Sequence, residues 1–241
     1  MRKCFISLIY IFLSVFFIVE TAGTAYASAE PSVSAVSAIL IDQATGKVLF
    51  SKEADKRMYP ASTTKLLTAL VTLDYLSPDE FVVAGDEINA IPYDSSKAYH
   101  ILDETIKVEN LIRGLIIPSG NETACIAARE VARRVSENED IAYPDAERLF
   151  CRLMNEKAKY LGAVSTNFVN PHGYHNDNHY TTAHDMALIS VEALNNPLIK
   201  QIVQEKEFIG NGAGVNPNLS WITQEYKWST HNELQIGRAH V

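Results

Sequence analysis

Pro60-Ala61-Ser62-Thr63-Thr64-Lys65, followed by Leu66, Leu67, Ala69, Leu70 and Leu73, decides how this chain is read. The apolar spacing predicts a helix that opens here and ends near Tyr75-Leu76, with Ser77-Pro78 as a stop. Residues three apart share one helix face, so Lys65 can hold its nitrogen against the Ser62 hydroxyl. A serine alcohol is a poor nucleophile until a neighbour takes its proton. The pair is a candidate nucleophile and base within one helical turn. Ser-x-x-Lys also arises by accident, as a Ser N-cap beside a solvated lysine. Thr63 and Thr64 between the two are unusual in a strong helix, because both lose side-chain freedom there.

A second polar knot, Ser119-Gly120-Asn121, interrupts an apolar helical pattern far along the chain. Its plain reading is a helix break in which Ser119 or Asn121 caps the next helix. Its chemical reading is a hydroxyl and a carboxamide projecting together from a tight turn. Ser119 could pass a proton to a leaving amine. Asn121 could hold a substrate amide or orient the lysine.

Around these motifs, Ser37–Asp42 and Lys47–Ser51 read as two strands of a hairpin about Gln43-Ala44-Thr45-Gly46. Phe81-Val82-Val83 is a short extended piece. Helices are expected over residues 109–117, 122–135, 145–161 and 182–194, with Gly162 at a helix C-cap and Asn195-Asn196-Pro197 following the last. Strands first and a block of helices after them suit an α+β arrangement better than a βαβ alternation.

The chain begins like a secreted protein. Arg2 and Lys3 precede an apolar run from Phe5 to Val19, and Ala25-Tyr26-Ala27 supplies small residues for cleavage. Residues 1–27 are read as a signal peptide and 28–35 as a linker. The run is shorter than the roughly 20 residues that span a bilayer. The remaining chain is acidic, as is the whole, whose formal net charge is −8. That balance argues against nucleic acid as a partner. Cys125 and Cys151, the cysteines outside the signal, read as buried thiols acting as small hydrophobes.

Together the knots resemble the active-site set of the serine penicillin-recognising enzymes. More narrowly, the chain resembles the D-alanyl-D-alanine carboxypeptidases, low-molecular-mass penicillin-binding proteins of peptidase family S11. The resemblance runs from about Val36 to Leu234. It rests on Tyr59–Lys65, Leu111–Asn121, Met154–Ala158 with Leu161-Gly162, Asn167–Gly173 and His179–Ala187. It implies a β-lactamase/transpeptidase-like fold, an antiparallel sheet with a helical subdomain. It also implies acyl transfer on peptidoglycan stem peptides ending in D-Ala-D-Ala, outside the cytoplasmic membrane and without a cofactor. Ser62 would attack, Lys65 would take its proton, Ser119 would relay a proton to the leaving D-alanine and Asn121 would hold the substrate backbone. The Ser62 N–H would form half of the oxyanion hole. β-Lactams would acylate the same serine.

The family's third motif, Lys-Thr-Gly or a close variant, is expected after the segment Thr230–Leu234 and is not found. Lys227-Trp228-Ser229 lacks the following glycine and precedes that segment. Residues 235–241, ending Ile236-Gly237-Arg238-Ala239-His240-Val241, read as a non-native tail, one frame of a sequencing adaptor. On this reading residues 36–234 are a catalytic domain missing its C-terminal strands and its membrane anchor. The fragment is then impaired, and the hairpin at residues 39–50 has an unpaired edge.

Three alternatives compete. A class A-like β-lactamase would carry Ser-Asp-Asn and a Glu-x-x-Leu-Asn loop, and neither is found. A metal module is suggested by His172, His175, His179 and His184, but no pair sits four apart on a confident helix with an acidic partner, so they read as loop histidines lining one cleft wall. A non-catalytic peptidoglycan-binding protein is disfavoured by intact Ser62, Lys65, Ser119 and Asn121.

Overall fold

Antiparallel pairing begins where the alternation of β-branched residues places it. Ala38–Ile41 (β1) pairs with Val48–Lys52 (β2), with an irregularity between Leu40 and Ile41. Asp42 closes the turn by accepting from the Thr45 N–H at 2.8 Å and the Thr45 hydroxyl at 2.6 Å, and Gly46 takes the left-handed φ of +69°. The structure, a computed structural model, describes residues 31–211 and 225–230. The expected signal peptide, the first part of the expected linker, residues 231–234 and the expected tail lie outside the described residues. Residues 31–34, the described part of a first unit ending at Ser34, hold no helix or strand. Every described helix and strand belongs to the second unit, which begins at Ala35.

The helical block follows the apolar periodicity to within two residues at each end. Thr64–Tyr75 (α1), Val108–Ile116 (α2), Asn121–Ser136 (α3), Tyr143–Tyr160 (α4) and Ala183–Asn195 (α5) stand where helices are expected. Pro197–Ile202 (α6) is not expected from the sequence. Asn196-Pro197 looks like a stop, but Asn196 accepts from the Leu198 and Ile199 N–H groups and Pro197 fills the first turn, so it starts a helix. Short strands at Phe81–Val83 (β3) and Thr105–Lys107 (β4) pair with each other, as do Glu207–Asn211 (β5) and Glu225–Ser229 (β6). Lys227-Trp228-Ser229 is therefore part of β6. Among the described residues the strands form three separate two-stranded sheets. Leu40, Val48 and Leu49 of the first are exposed. No described helix is long and apolar enough to cross a membrane.

The core is built around α3. Ala124, Ala127, Ala128 and Val131 are buried, and such small side chains let α1, α2 and α4 approach closely. Leu67, Leu70, Leu111, Leu115, Phe150 and Met154 fill the space between them. The β5–β6 hairpin is anchored by Tyr226 and Trp228, stacked 4.4 Å apart, with the Trp228 indole donating to the Ala98 carbonyl at 3.1 Å. Tyr226 donates to Glu104, which also faces His100.

Residues 84–104 are tied to α3 by charge. Buried Glu87 accepts from Arg129 at 2.6 Å and from the Gly85 N–H at 2.7 Å. Removing the guanidinium would strand a buried carboxylate, which costs more than the pair contributes. Arg129→Ala should therefore destabilise the protein by about 3 kcal/mol. Urea unfolding at neutral pH checks this, against Arg148→Ala on the exposed face of α4 as a change of less than about 0.5 kcal/mol.

Candidate active site

Ser62 lies in a 3-10 turn, Ala61–Thr63, that runs directly into α1. Thr63 and Thr64 hold this turn. The Thr63 hydroxyl donates to the Pro60 carbonyl at 2.6 Å, and the Thr64 hydroxyl to the Ala61 carbonyl at 2.7 Å. Their back-bonding explains two β-branched residues at a helix start. Ala61 takes φ +47°, a left-handed value that costs a non-glycine residue about 1 kcal/mol or more. Ser62 is exposed and Lys65 is buried.

The Lys65 ammonium donates to the Ser62 hydroxyl at 3.2 Å and to the His172 carbonyl at 2.8 Å. The structure thus brings together the two groups that the spacing puts on one face. Burial pulls the Lys65 pKa down to about 8, against the opposing pull of the Glu122 charge. A sizeable fraction is then neutral near pH 8, and a neutral amine can accept a proton from the alcohol beside it. Burial alone supplies this depression; no second cation is among its causes.

The carbonyl that holds Lys65 is delivered by residues 167–173. Asn155 of α4 pairs with Phe168 like a strand partner, donating to its carbonyl and accepting from its N–H, both at 2.8 Å. Thr68, one turn beyond Thr64, donates to the Pro171 carbonyl at 2.6 Å. His179 sits between the Thr64 hydroxyl, 2.9 Å away, and the Val169 N–H, 3.2 Å away. Since its Nδ1 accepts from Val169, its Nε2 carries the proton toward Thr64. Buried Asp185 accepts from the Ser165 N–H and the Thr166 hydroxyl, and Thr182 caps α5 by accepting from the Asp185 N–H at 3.0 Å. Many of the motif residues that the sequence offers thus brace the loop behind Lys65.

The second knot departs from its plain reading. Gly120, not Ser119 or Asn121, is the N-cap of α3, and no side chain caps that end. Space decides this. A Cβ on Gly120 would lie 2.4 Å from the Thr123 hydroxyl and 3.0 Å from the Gly114 carbonyl. The Gly120 N–H donates to that carbonyl and the Asn121 N–H to the Ser96 carbonyl, each at 2.9 Å. Ser119 takes φ +59°, and its buried hydroxyl makes no hydrogen bond to the protein. Glu122, which sequence reasoning passed over, gathers the Ala98 and Tyr99 N–H groups at 2.7 and 2.6 Å and so ties that irregular stretch to the start of α3.

Ser62 stands where two cavities meet. One, of about 250 Å³, is lined by Asn121, Tyr59, Asp94, Ser96, His172 and Tyr174 among others. The other, of about 360 Å³, is lined by Lys65, Ser119, Leu115, Ile117 and Thr230 among others. Lys65 and Ser119 share one cavity with Ser62, and Asn121 shares the other. The four histidines take separate places. His172 Nδ1 accepts from the Tyr174 N–H at 3.1 Å, His175 lies edge-on to Tyr59, and His184 is 3.6 Å from Asp55. Burial lowers the pKa of His172 to about 3 and of His179 to about 4, so both are neutral. Cys125 and Cys151 are free and buried, and burial pushes both thiols up.

Gly173 makes the closest approach in the site. Its φ is +83°, and a Cβ there would lie 1.9 Å from the Ala61 carbonyl oxygen, next to Ser62. Gly162 also has positive φ, +86°, but a Cβ there meets only the Leu188 side chain at 3.7 Å. It ends α4 in a Schellman arrangement. Gly162→Ala should cost about 1 kcal/mol, the conformational part alone. Gly173→Ala should cost at least about 2 kcal/mol more, because the backbone must shift. Denaturant unfolding of the two variants checks the difference.

Comparison with known proteins agrees with this geometry. A family profile described as D-alanyl-D-alanine carboxypeptidase matches residues 24–237. The carboxypeptidase DacF of Bacillus subtilis is 32% identical over 171 residues, which are 69% of this chain and 41% of that protein. DacC of Escherichia coli is 33% identical over 204 residues, 79% of this chain and 48% of that protein. The chain thus spans about half the length of these curated relatives. The crystal structure of the Streptomyces K15 DD-transpeptidase superposes with a TM-score of 0.75 at 25% identity, covering 87% of this chain and 78% of that one. The DacD carboxypeptidase of Francisella tularensis superposes at 0.66 with 28% identity, covering 76% and 42%. The α+β DD-peptidase fold implied by the motifs is the fold observed, and the chain belongs to the D-alanyl-D-alanine carboxypeptidase family, peptidase family S11.

Proposed function

We propose that the protein is a serine-type D-Ala-D-Ala carboxypeptidase working through an acyl-enzyme, with Ser62 as nucleophile and Lys65 as its base. The observation that carries this reading is the buried Lys65 amine, 3.2 Å from the Ser62 hydroxyl and anchored on the His172 carbonyl. The neutral amine takes the Ser62 proton as the oxygen attacks the carbonyl of the penultimate D-alanine. The Ser62 N–H faces the developing oxyanion, a contribution of about 3 kcal/mol for a well-placed donor. The proton then passes from Lys65 through Ser119, which shares its cavity, to the departing amine. The C–N bond breaks and free D-alanine leaves. Water attacks the ester, and Ser62 is regenerated.

Asn121, which lines the other cavity with Ser62, holds the substrate backbone. Peptidoglycan stem peptides are the substrates and β-lactams the mechanism-based acylating agents. The reaction takes place on the outer side of the cytoplasmic membrane, where such peptides are found and where the N-terminal signal directs the chain. The likeness to a DD-transpeptidase favours a second fate for the same ester, attack by an amine in place of water. Both fates share the acylation step.

Benzylpenicillin tests that step. Incubation of the complete protein, followed by peptide mapping in a mass spectrometer, should place one penicilloyl adduct on Ser62. Ser62→Ala should carry none while unfolding at the parent's denaturant midpoint to within about 0.5 kcal/mol. An adduct on another residue, or none on the folded parent protein, would contradict the reading.

A further inference from the structure

Glu122 lies in the first turn of α3, next to Asn121, yet its side-chain bonds leave that helix. One oxygen accepts from three successive backbone N–H groups, those of Ala98, Tyr99 and His100, at 2.7, 2.6 and 3.4 Å. Tyr99 takes the left-handed φ of +66°, a conformation that turns neighbouring N–H groups toward a common point and makes a nest for an anion. Glu122 is 2% exposed, and its second oxygen accepts no hydrogen bond from the described residues.

The stretch that Glu122 holds is part of the cleft. Asp94, Ser95 and Ser96 line the cavity shared by Ser62 and Asn121. The Ser96 carbonyl accepts from the Asn121 N–H at 2.9 Å. Ala98 packs on Gly120, where a Cβ would lie 2.9 Å from the Ala98 methyl. The other ties on this stretch come from single donors. The Tyr174 hydroxyl donates to Asp94 at 3.0 Å, and the Trp228 indole to the Ala98 carbonyl at 3.1 Å.

We propose that Glu122 is a positioning residue of the active site, whose carboxylate fixes the backbone of residues 96–98 against Asn121 and so shapes the wall along which the substrate lies. The inference rests on the reading of Ser62 and Lys65 above and adds a residue to it. A carboxylate suits the task because one oxygen can accept several N–H bonds, each strengthened by its charge. The same charge acts on Lys65, favouring its ammonium against the burial that disfavours it. Cys125 on α3 and His172 on the facing loop also interact with Lys65, but burial keeps the thiol protonated and the imidazole neutral. Of these three groups, Glu122 alone is charged.

Two variants of the complete protein test this, with D-alanine release from a D-Ala-D-Ala peptide and the pH profile of benzylpenicillin acylation as readouts. Glu122→Gln keeps the shape and loses the charge. It should raise KM about three- to tenfold, because the nest holds a neutral oxygen less firmly. It should also move the acylation midpoint to lower pH than the parent's, because Lys65 loses the charge that favours its ammonium. Glu122→Asp keeps the charge and draws the oxygens back by about 1.5 Å. It should raise KM while its midpoint stays with the parent's. A residue that only supports the fold would leave both midpoints in place. An unchanged KM in either folded variant, or an unchanged midpoint in Glu122→Gln, would overturn the proposal, and if Glu122→Gln does not fold, Glu122→Asp still decides it through KM. Acylation of the parent protein reports separately on Ser62 and Lys65: its loss there would overturn both readings.

Discussion

A lysine amine that must be buried to be useful is the constraint on which the rest of this structure depends. Lys65 keeps two hydrogen-bond partners in its pocket, the Ser62 hydroxyl and the His172 carbonyl, and neither is charged. Neutral acceptors hold the amine in place without stabilising its cationic form as a carboxylate would. The one carboxylate that acts on it, Glu122, has one oxygen committed to the Ala98 and Tyr99 N–H groups, and its charge opposes the depression without reversing it. Burial therefore wins, and the amine is set near 8 without help from a neighbouring cation.

Holding that arrangement requires a loop, a turn and a helix to meet closer than ordinary side chains allow. Gly173 lets the His172 carbonyl in because nothing projects toward Ala61. Ala61 and Ser119, each lining a cavity with Ser62, both sit at left-handed φ. Strain of this kind survives where surrounding contacts over-determine the backbone. Here the contacts are the threonine back-bonds at residues 63 and 64, the Thr68 bond to Pro171, and Asn155 gripping Phe168.

Much of this was legible from the residues. Helical periodicity placed α1 to α5, and a three-residue spacing put an alcohol and an amine on one face. The order of the motifs pointed to the family. What stayed hidden was backbone chemistry. A carbonyl such as that of His172 has no signature in sequence, because every residue carries one. Glu122 looked like an ordinary first-turn acid, and only the fold shows three-dimensional neighbours donating to it. Asn196-Pro197 was ambiguous in principle, since the same pair ends one helix and begins another. Strands β4 and β5 were too short or too glycine-interrupted to alternate visibly. Asp94 and Tyr174 are 80 residues apart, and nothing in either local sequence announces the other.

The rate of Ser62 acylation by benzylpenicillin as a function of pH tests the central claim most directly. The base must be unprotonated, so the rate should rise with pH, pass its midpoint near 8 and then level off, falling about tenfold for each unit below the midpoint. A rate that is flat from pH 6 to 10, or one whose midpoint sits at the ordinary lysine value near 10.5, would contradict a buried Lys65 as the group that activates Ser62.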